Sequence, residues 1–220
     1  MFKGHCFHKV IILQAVYFKF RFSLSCREIE ELLMIRGVKV DHATIQRWVF
    51  KFSPLIEMIF RKRKRPVGNS WKMDETYIKV KGEWMYLYRA VDKQGNTIDF
   101  LLTKRRNTFA SHRFLIQAIE SNGIPVLINI DKSGANKQAI SVYNKRNYSK
   151  IKIRQCKYLN NPIEQDHRFI KWRIQNMLGF KNFESAERTL SRIEVVRMIK
   201  KNQLAIPMTS TYHSFCSLAA

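Results

Sequence analysis

The chain has 220 residues, which at the usual ~150 residues per domain is one full domain and a smaller companion. A hydrophobic content of 45% with 12% aromatic residues excludes an intrinsically disordered chain. Forty Lys and Arg against 17 Asp and Glu leave a net charge of +23 and a pI near 10.2, a self-repulsion that asks for a polyanionic partner, nucleic acid before any other.

The first apolar run, Val10 to Phe20, contains Gln14 and Lys19 and is far shorter than the ~20 residues a bilayer span needs. It lacks a small-residue cleavage site, so neither a membrane nor a secretory role is expected. Cys6, Cys26, Cys156 and Cys216 form no Cys-x-x-Cys pair, and His5, Cys6 and His8 have no second pair to complete a zinc site. Reduced thiols and the lack of an export signal predict a cytoplasmic protein.

Residues 7–20 read as a helix. A second begins at Ser25, which stands at capping-box spacing from Glu28, and its apolar residues Ile29, Leu32 and Leu33 share a face. Gly37 ends it. Asp41 is placed to cap a third helix, in which Ile45, Trp48, Val49 and Phe52 repeat at helical spacing. Helix, glycine turn, helix is the helix-turn-helix pattern, with the third helix as reader and His42, Ala43, Gln46, Arg47 and Lys51 on its outer face. Gln and Arg carry paired donors and acceptors that match adenine and guanine edges, so Gln46 and Arg47 are the candidates for base readout, with Lys39 and Lys51 on phosphates. An ordinary three-helix interaction module with a polar face is the competing reading.

Arg61-Lys62-Arg63-Lys64-Arg65-Pro66 follows, then Gly68-Asn69-Ser70, a composition that suits a basic linker over 61–70. From Trp71 the period becomes two. Met73–Val80, Glu83–Val91 and Thr97–Leu102 read as three strands of a meander, with turns at Lys81-Gly82 and Lys93-Gln94-Gly95-Asn96. A helix over 108–121, a buried strand Val126–Ile130, a helix from Ala135 to Tyr143, a strand Lys150–Arg154 and a long helix after Asn161 complete the order. That order fits an α/β ribonuclease H-like domain, with a three-strand meander, two further strands and flanking helices, preceded by a small all-α domain. The expected organisation is 1–60 helix-turn-helix, 61–70 linker, 71–207 catalytic domain and 208–220 an uncharged, peripheral tail.

Three acids occupy the first strand, the end of the fourth strand and the last helix of this fold: Asp74, Asp131 and Glu164. Alternation puts Asp74 on one face with Thr76, Ile78 and Val80, and Glu75 on the other as a solvated or supporting group. Each acid also has a structural explanation; Asp131 suits a turn and Glu164 suits a helix start at Asn161-Pro162. Their joint placement favours a site for two hard cations, as in-line phosphodiester chemistry requires. His167, Arg168 and Lys171 follow Glu164 on one helix face, where they are placed to hold phosphate. Between Asp131 and Glu164 there are eight cations and no other acid.

The runs Trp71-Lys72-Met73-Asp74-Glu75-Thr76-Tyr77, Tyr86-Leu87-Tyr88-Arg89-Ala90-Val91-Asp92, Asp131-Lys132-Ser133-Gly134-Ala135-Asn136 and Tyr158-Leu159-Asn160-Asn161-Pro162-Ile163-Glu164-Gln165-Asp166-His167-Arg168 strongly resemble bacterial DDE transposases of insertion sequence family six. The resemblance covers nearly the whole chain. It implies that Asp74, Asp131 and Glu164 form a catalytic triad binding two Mg²⁺ ions, with Mn²⁺ as a substitute, and that Lys171 is the basic residue near the transposon end. It further implies recognition of terminal inverted repeats, joining of ends to target DNA, and a homo-oligomer working at the bacterial nucleoid. Arg61, Lys62, Arg63, Lys64, Arg65 and Arg168 join Gln46, Arg47, Lys51 and Lys171 as expected DNA contacts. Three positions depart from the family pattern: Asn107 after Arg106 replaces an aspartate, Arg192 precedes Ile193-Glu194 in place of glycine, and Asn202 stands where glycine is common. The alternatives are a non-catalytic helix-turn-helix protein and a ribonuclease H-like nuclease that only hydrolyses.

Overall fold

The computed structural model describes all residues except Met1, Lys3, His5, Leu178 and Ala220, and of Lys157 and Tyr158 the backbone alone. The grouping of His5 with Cys6 and His8 therefore lies partly outside the described residues. The chain forms two compact units: residues 66–183, and residues 1–65 together with 184–220.

The all-helical unit begins with α1 (Lys9–Arg21), α2 (Cys26–Ile35) and α3 (His42–Arg63). The capping box of α2 forms as the spacing predicts, with the Glu28 amide donating to Ser25 Oγ at 3.1 Å and the Ser25 amide donating to the Glu28 carboxylate. Gly37 takes a φ of 75°, a backbone state that costs a residue without Cβ little. Asp41 caps α3 by accepting from the Thr44 amide at 2.9 Å. Ile45, Trp48, Val49, Phe52, Ile56 and Phe60 form its buried stripe.

Two expectations about this unit change. The cations of 61–63 do not begin a linker; α3 continues through them to Arg63 and carries Pro54 in its interior. Positive charge at a helix C-terminus is favoured by the helix dipole, and Arg61 Nε pairs with Glu57 one turn earlier at 3.1 Å. Nor is the uncharged tail peripheral. Residues 184–220 supply most of α7 (Phe183–Lys200) and α8 (Thr211–Ser217), and both Phe215 and Leu218 are fully buried. The Phe215 ring lies 5.3 Å from Tyr17 and 5.4 Å from Phe20 on α1. An apolar, aromatic segment without charge is what the open face of a small helical cluster needs to close its core. Arg65 and Gln203 are joined by a backbone hydrogen bond of 2.9 Å, and Asn202 adopts a φ of 55°, a turn state in which asparagine stands in for glycine.

The α/β unit holds a five-stranded sheet of order β3-β2-β1-β4-β5, formed by β1 (Ser70–Val80), β2 (Glu83–Asp92), β3 (Thr97–Thr103), β4 (Leu127–Ile130) and β5 (Lys152–Gln155). The first three are antiparallel and the last two join parallel, which is the ribonuclease H-like arrangement. Between the strands run α4 (Thr108–Asn122) and α5 (Gly134–Asn147), and α6 (Asn161–Gln175) follows a short 3-10 turn. Asn107 caps α4 through the Ala110 amide at 2.9 Å, the service an aspartate there performs. The core packs α4 and α5 against one sheet face through Trp71, Met73, Tyr88, Phe114, Ile128 and Ile140. α6 covers the opposite face of β1 and β2.

Candidate active site

The sheet explains why the three acids lie near one another. β1 and β4 run parallel with Lys72 opposite Asn129, so two residues further on Asp74 is level with Asp131, the first residue beyond β4. α6 lies over β1 and β2, and its first turn carries Glu164. The Asp166 carboxylate, half a turn further along, pairs at 3.0 Å with the fully buried Arg89, the residue opposite Asp74 on β2. This pair fixes the helix against the sheet and with it the height of Glu164.

Burial raises the Asp74 carboxyl to about 7, and the charges of Glu75, Asp131 and Glu164 push the same way. The Asp131 carboxylate accepts from the Ser133 amide at 2.8 Å, the turn expected of it, so its structural role and its place beside Asp74 coexist. Glu164 is exposed. Three carboxylates held where each raises the proton affinity of one suit hard divalent cations, which would relieve their repulsion. Among the described residues, however, no three acid, His or Cys groups stand close enough to form a ready-made metal cage.

Glu75 is not the solvated group that alternation allowed. Its side chain is 3% exposed, pairs with Arg106, and accepts from Asn136 Nδ2 of α5 at 3.0 Å. It supports the site from the α4 and α5 face while Asp74 faces α6. His167 also departs from expectation. It is buried, and burial followed by the charge of Arg89 lowers it to about 3, which favours the neutral ring over a cation facing phosphate. Its Nδ1 lies 3.8 Å from Asp74; with a neutral ring this contact is dipolar rather than an ion pair, and its Nε2 has no hydrogen-bond partner.

A family model described as a DDE domain, of the IS240 transposase type, matches residues 68–203. Transposases of the insertion sequence-like element IS431mec and of the element IS257 in transposon Tn4003, both from Staphylococcus aureus, are 38% identical over 207 residues, covering 93% of this chain and 91% of theirs. The chain belongs to the DDE transposases of insertion sequence family six. Among solved structures the catalytic core domain of BIV integrase aligns at 16% identity with a TM-score of 0.46, covering 68% of this chain and 95% of that one.

In the transposase the remaining expected contacts are all on the surface. Gln46, Arg47 and Lys51 are exposed along α3, although Arg47 is held by Thr44 Oγ1 at 2.8 Å and His42 is taken up by Glu30 at 2.9 Å. Arg168 and Lys171 are exposed on α6, one and two turns from Glu164. Arg61, Lys62, Arg63 and Arg65 are exposed and Lys64 half-buried, while Arg63 donates to the Ser217 carbonyl at 2.7 Å. Sequence reasoning missed Arg89, Asp166 and Phe50. Phe50 is 49% exposed beside Gln46 and Arg47, and its spacing of four and three residues from them was the available signal.

Proposed function

We propose that this transposase binds the terminal inverted repeats of its insertion sequence and catalyses DNA strand cleavage and transfer into target DNA with Asp74, Asp131 and Glu164 as ligands of two Mg²⁺ ions, which Mn²⁺ replaces. The observation carrying this reading is the half-buried Asp74, level with Asp131 across β1 and β4, where burial and the charges of Glu75, Asp131 and Glu164 raise its carboxyl to about 7. Bound at these oxygens, the ions supply activation of the attacking hydroxyl and stabilisation of the leaving oxygen. Arg168 and Lys171 hold transposon-end phosphates beside the triad. Gln46 and Arg47 read bases from the major groove, and Lys51 with the cations of 61–65 follows the backbone. The protein works as a homo-oligomer on the bacterial nucleoid. No described helix is long and apolar enough to cross a membrane.

The test is a labelled duplex carrying the element's end, incubated with protein, target plasmid and Mg²⁺. Joined product that disappears with EDTA is expected. Asp131→Asn and Glu164→Gln are expected to abolish joining while binding persists. Nicking without joining would point to a hydrolytic nuclease, and wild-type binding without either to a non-catalytic DNA-binding protein.

A further inference from the structure

α7 belongs to the same unit as α3, and it places two arginines one turn apart against the outer face of that helix. Arg188 and Arg192 lie with their guanidinium carbons 5.3 and 5.8 Å from the centre of the Phe50 ring. Phe50 is shared: one side lines a cavity of about 290 Å³ with Glu57, Arg188, Ser191 and Arg192, and the other belongs to the exposed face of Gln46, Arg47 and Lys51. We infer that Arg188 and Arg192 form a phosphate clamp, through which the last long helix grips the DNA backbone flanking the groove that α3 reads.

The placement is built rather than accidental. Ser191, between the two arginines, donates to Glu57 Oε2 of α3, while Arg61 holds Oε1 at 3.1 Å. Both carboxylate oxygens in the cavity are thereby engaged, and Ser191 ties α7 to α3 at this point. Arg188 is 53% exposed, and its partner Glu184 is 3.7 Å away and 77% exposed, a contact that water screens and a phosphate replaces readily. Arg192 is half-buried, with a sequestered Nε that has no hydrogen-bond partner. Burial and then the charge of Arg188 lower Arg192 to about 10, so it stays cationic at neutral pH while repelling its neighbour. An anion between the two guanidiniums removes that repulsion, and the Phe50 ring that both approach holds them near one another for charge-assisted contact. DNA is the source of the anion because Phe50, which both arginines approach, also lines the face proposed to enter the groove. The clamp rests on the proposed DNA-binding role of α3.

The experiment measures binding of the full-length protein to two duplexes, the element's end and a scrambled one, over 50–200 mM salt. Arg188→Ala, the exposed and structurally safe variant, is expected to weaken both about tenfold and to lower the slope of log affinity against log salt by about 1. Arg192→Ala is expected to do the same, with Arg192→Lys restoring the slope. The preference for the element's end stays unchanged. An unaltered slope in Arg188→Ala would overturn the clamp, as would a lost preference at constant slope, which would make these arginines base readers. Wild-type protein that binds neither duplex would instead overturn the proposed function on which the clamp rests.

Discussion

Asp74 is ionised with difficulty because it is 19% exposed and shares its surroundings with other acids. Its folded-state value of about 7 lies above that of an unfolded aspartate, so the folded protein binds the extra proton, and stability falls as pH rises from about 4 to 7. In metal-free protein Asp74→Asn removes this penalty. The variant is expected to be more stable than wild type by roughly 1–3 kcal/mol at pH 7.5, a shift of several degrees in Tm, with the difference vanishing near pH 4. Scans at both pH values in EDTA check it; a difference independent of pH would sink it. Arg89 and Asp166 behave oppositely, since each neutralises the other out of water. Arg89→Met alone is expected to cost roughly 3–5 kcal/mol in urea unfolding, and adding Asp166→Leu to recover much of it, because the second change removes the stranded charge. Neither residue announced itself in the sequence: a buried arginine on a strand looks like any surface cation until the helix that covers it is placed.

At the scale of elements, the strands were legible because period-two alternation and glycine turns are local signals, and every strand of the sheet lies where those signals put it. The placement of Asp74, Asp131 and Glu164 near one another was legible for the same reason, since ordered strands and helices fix where each acid falls. The burial of Glu75 was not, because alternation assigns a face and not what covers it; Arg106 and Asn136 arrive from distant sequence. α3 was legible at its capped start and illegible at its end, where Pro54 and a run of cations mimic a boundary that packing of Ile56 and Phe60 overrides. The exposed α3 face leads to a separable prediction: Arg47→Ala is expected to lose roughly 1–3 kcal/mol of discrimination between end and scrambled duplex, read by competition binding, with joining chemistry intact on prebound substrate.

At the scale of the molecule, the α/β unit is one continuous stretch inserted into a helical unit made of both ends of the chain. Composition hid this, since the second half of α7, burying Ile193, Val195, Val196, Met198 and Ile199, reads as one more helix of whichever domain precedes it. A fragment of residues 1–65 is expected to lack a cooperative thermal transition, for it is missing the buried faces of α7 and α8 and is too small to compensate. Joining 1–65 to 184–220 through a short glycine-serine linker is expected to restore one, and 66–183 is expected to unfold cooperatively by itself. Circular dichroism melts of the three fragments decide the matter.

That insertion imposes an order in time. The catalytic stretch can condense as it leaves the ribosome, whereas α1, α2 and α3 must wait for partners encoded more than a hundred residues later. At about 5–20 residues per second the wait is roughly 8–30 s. Throughout it the growing polypeptide carries a folded sheet and a helical unit whose core is still open, so the two units are completed in the reverse of the order in which their first residues are made.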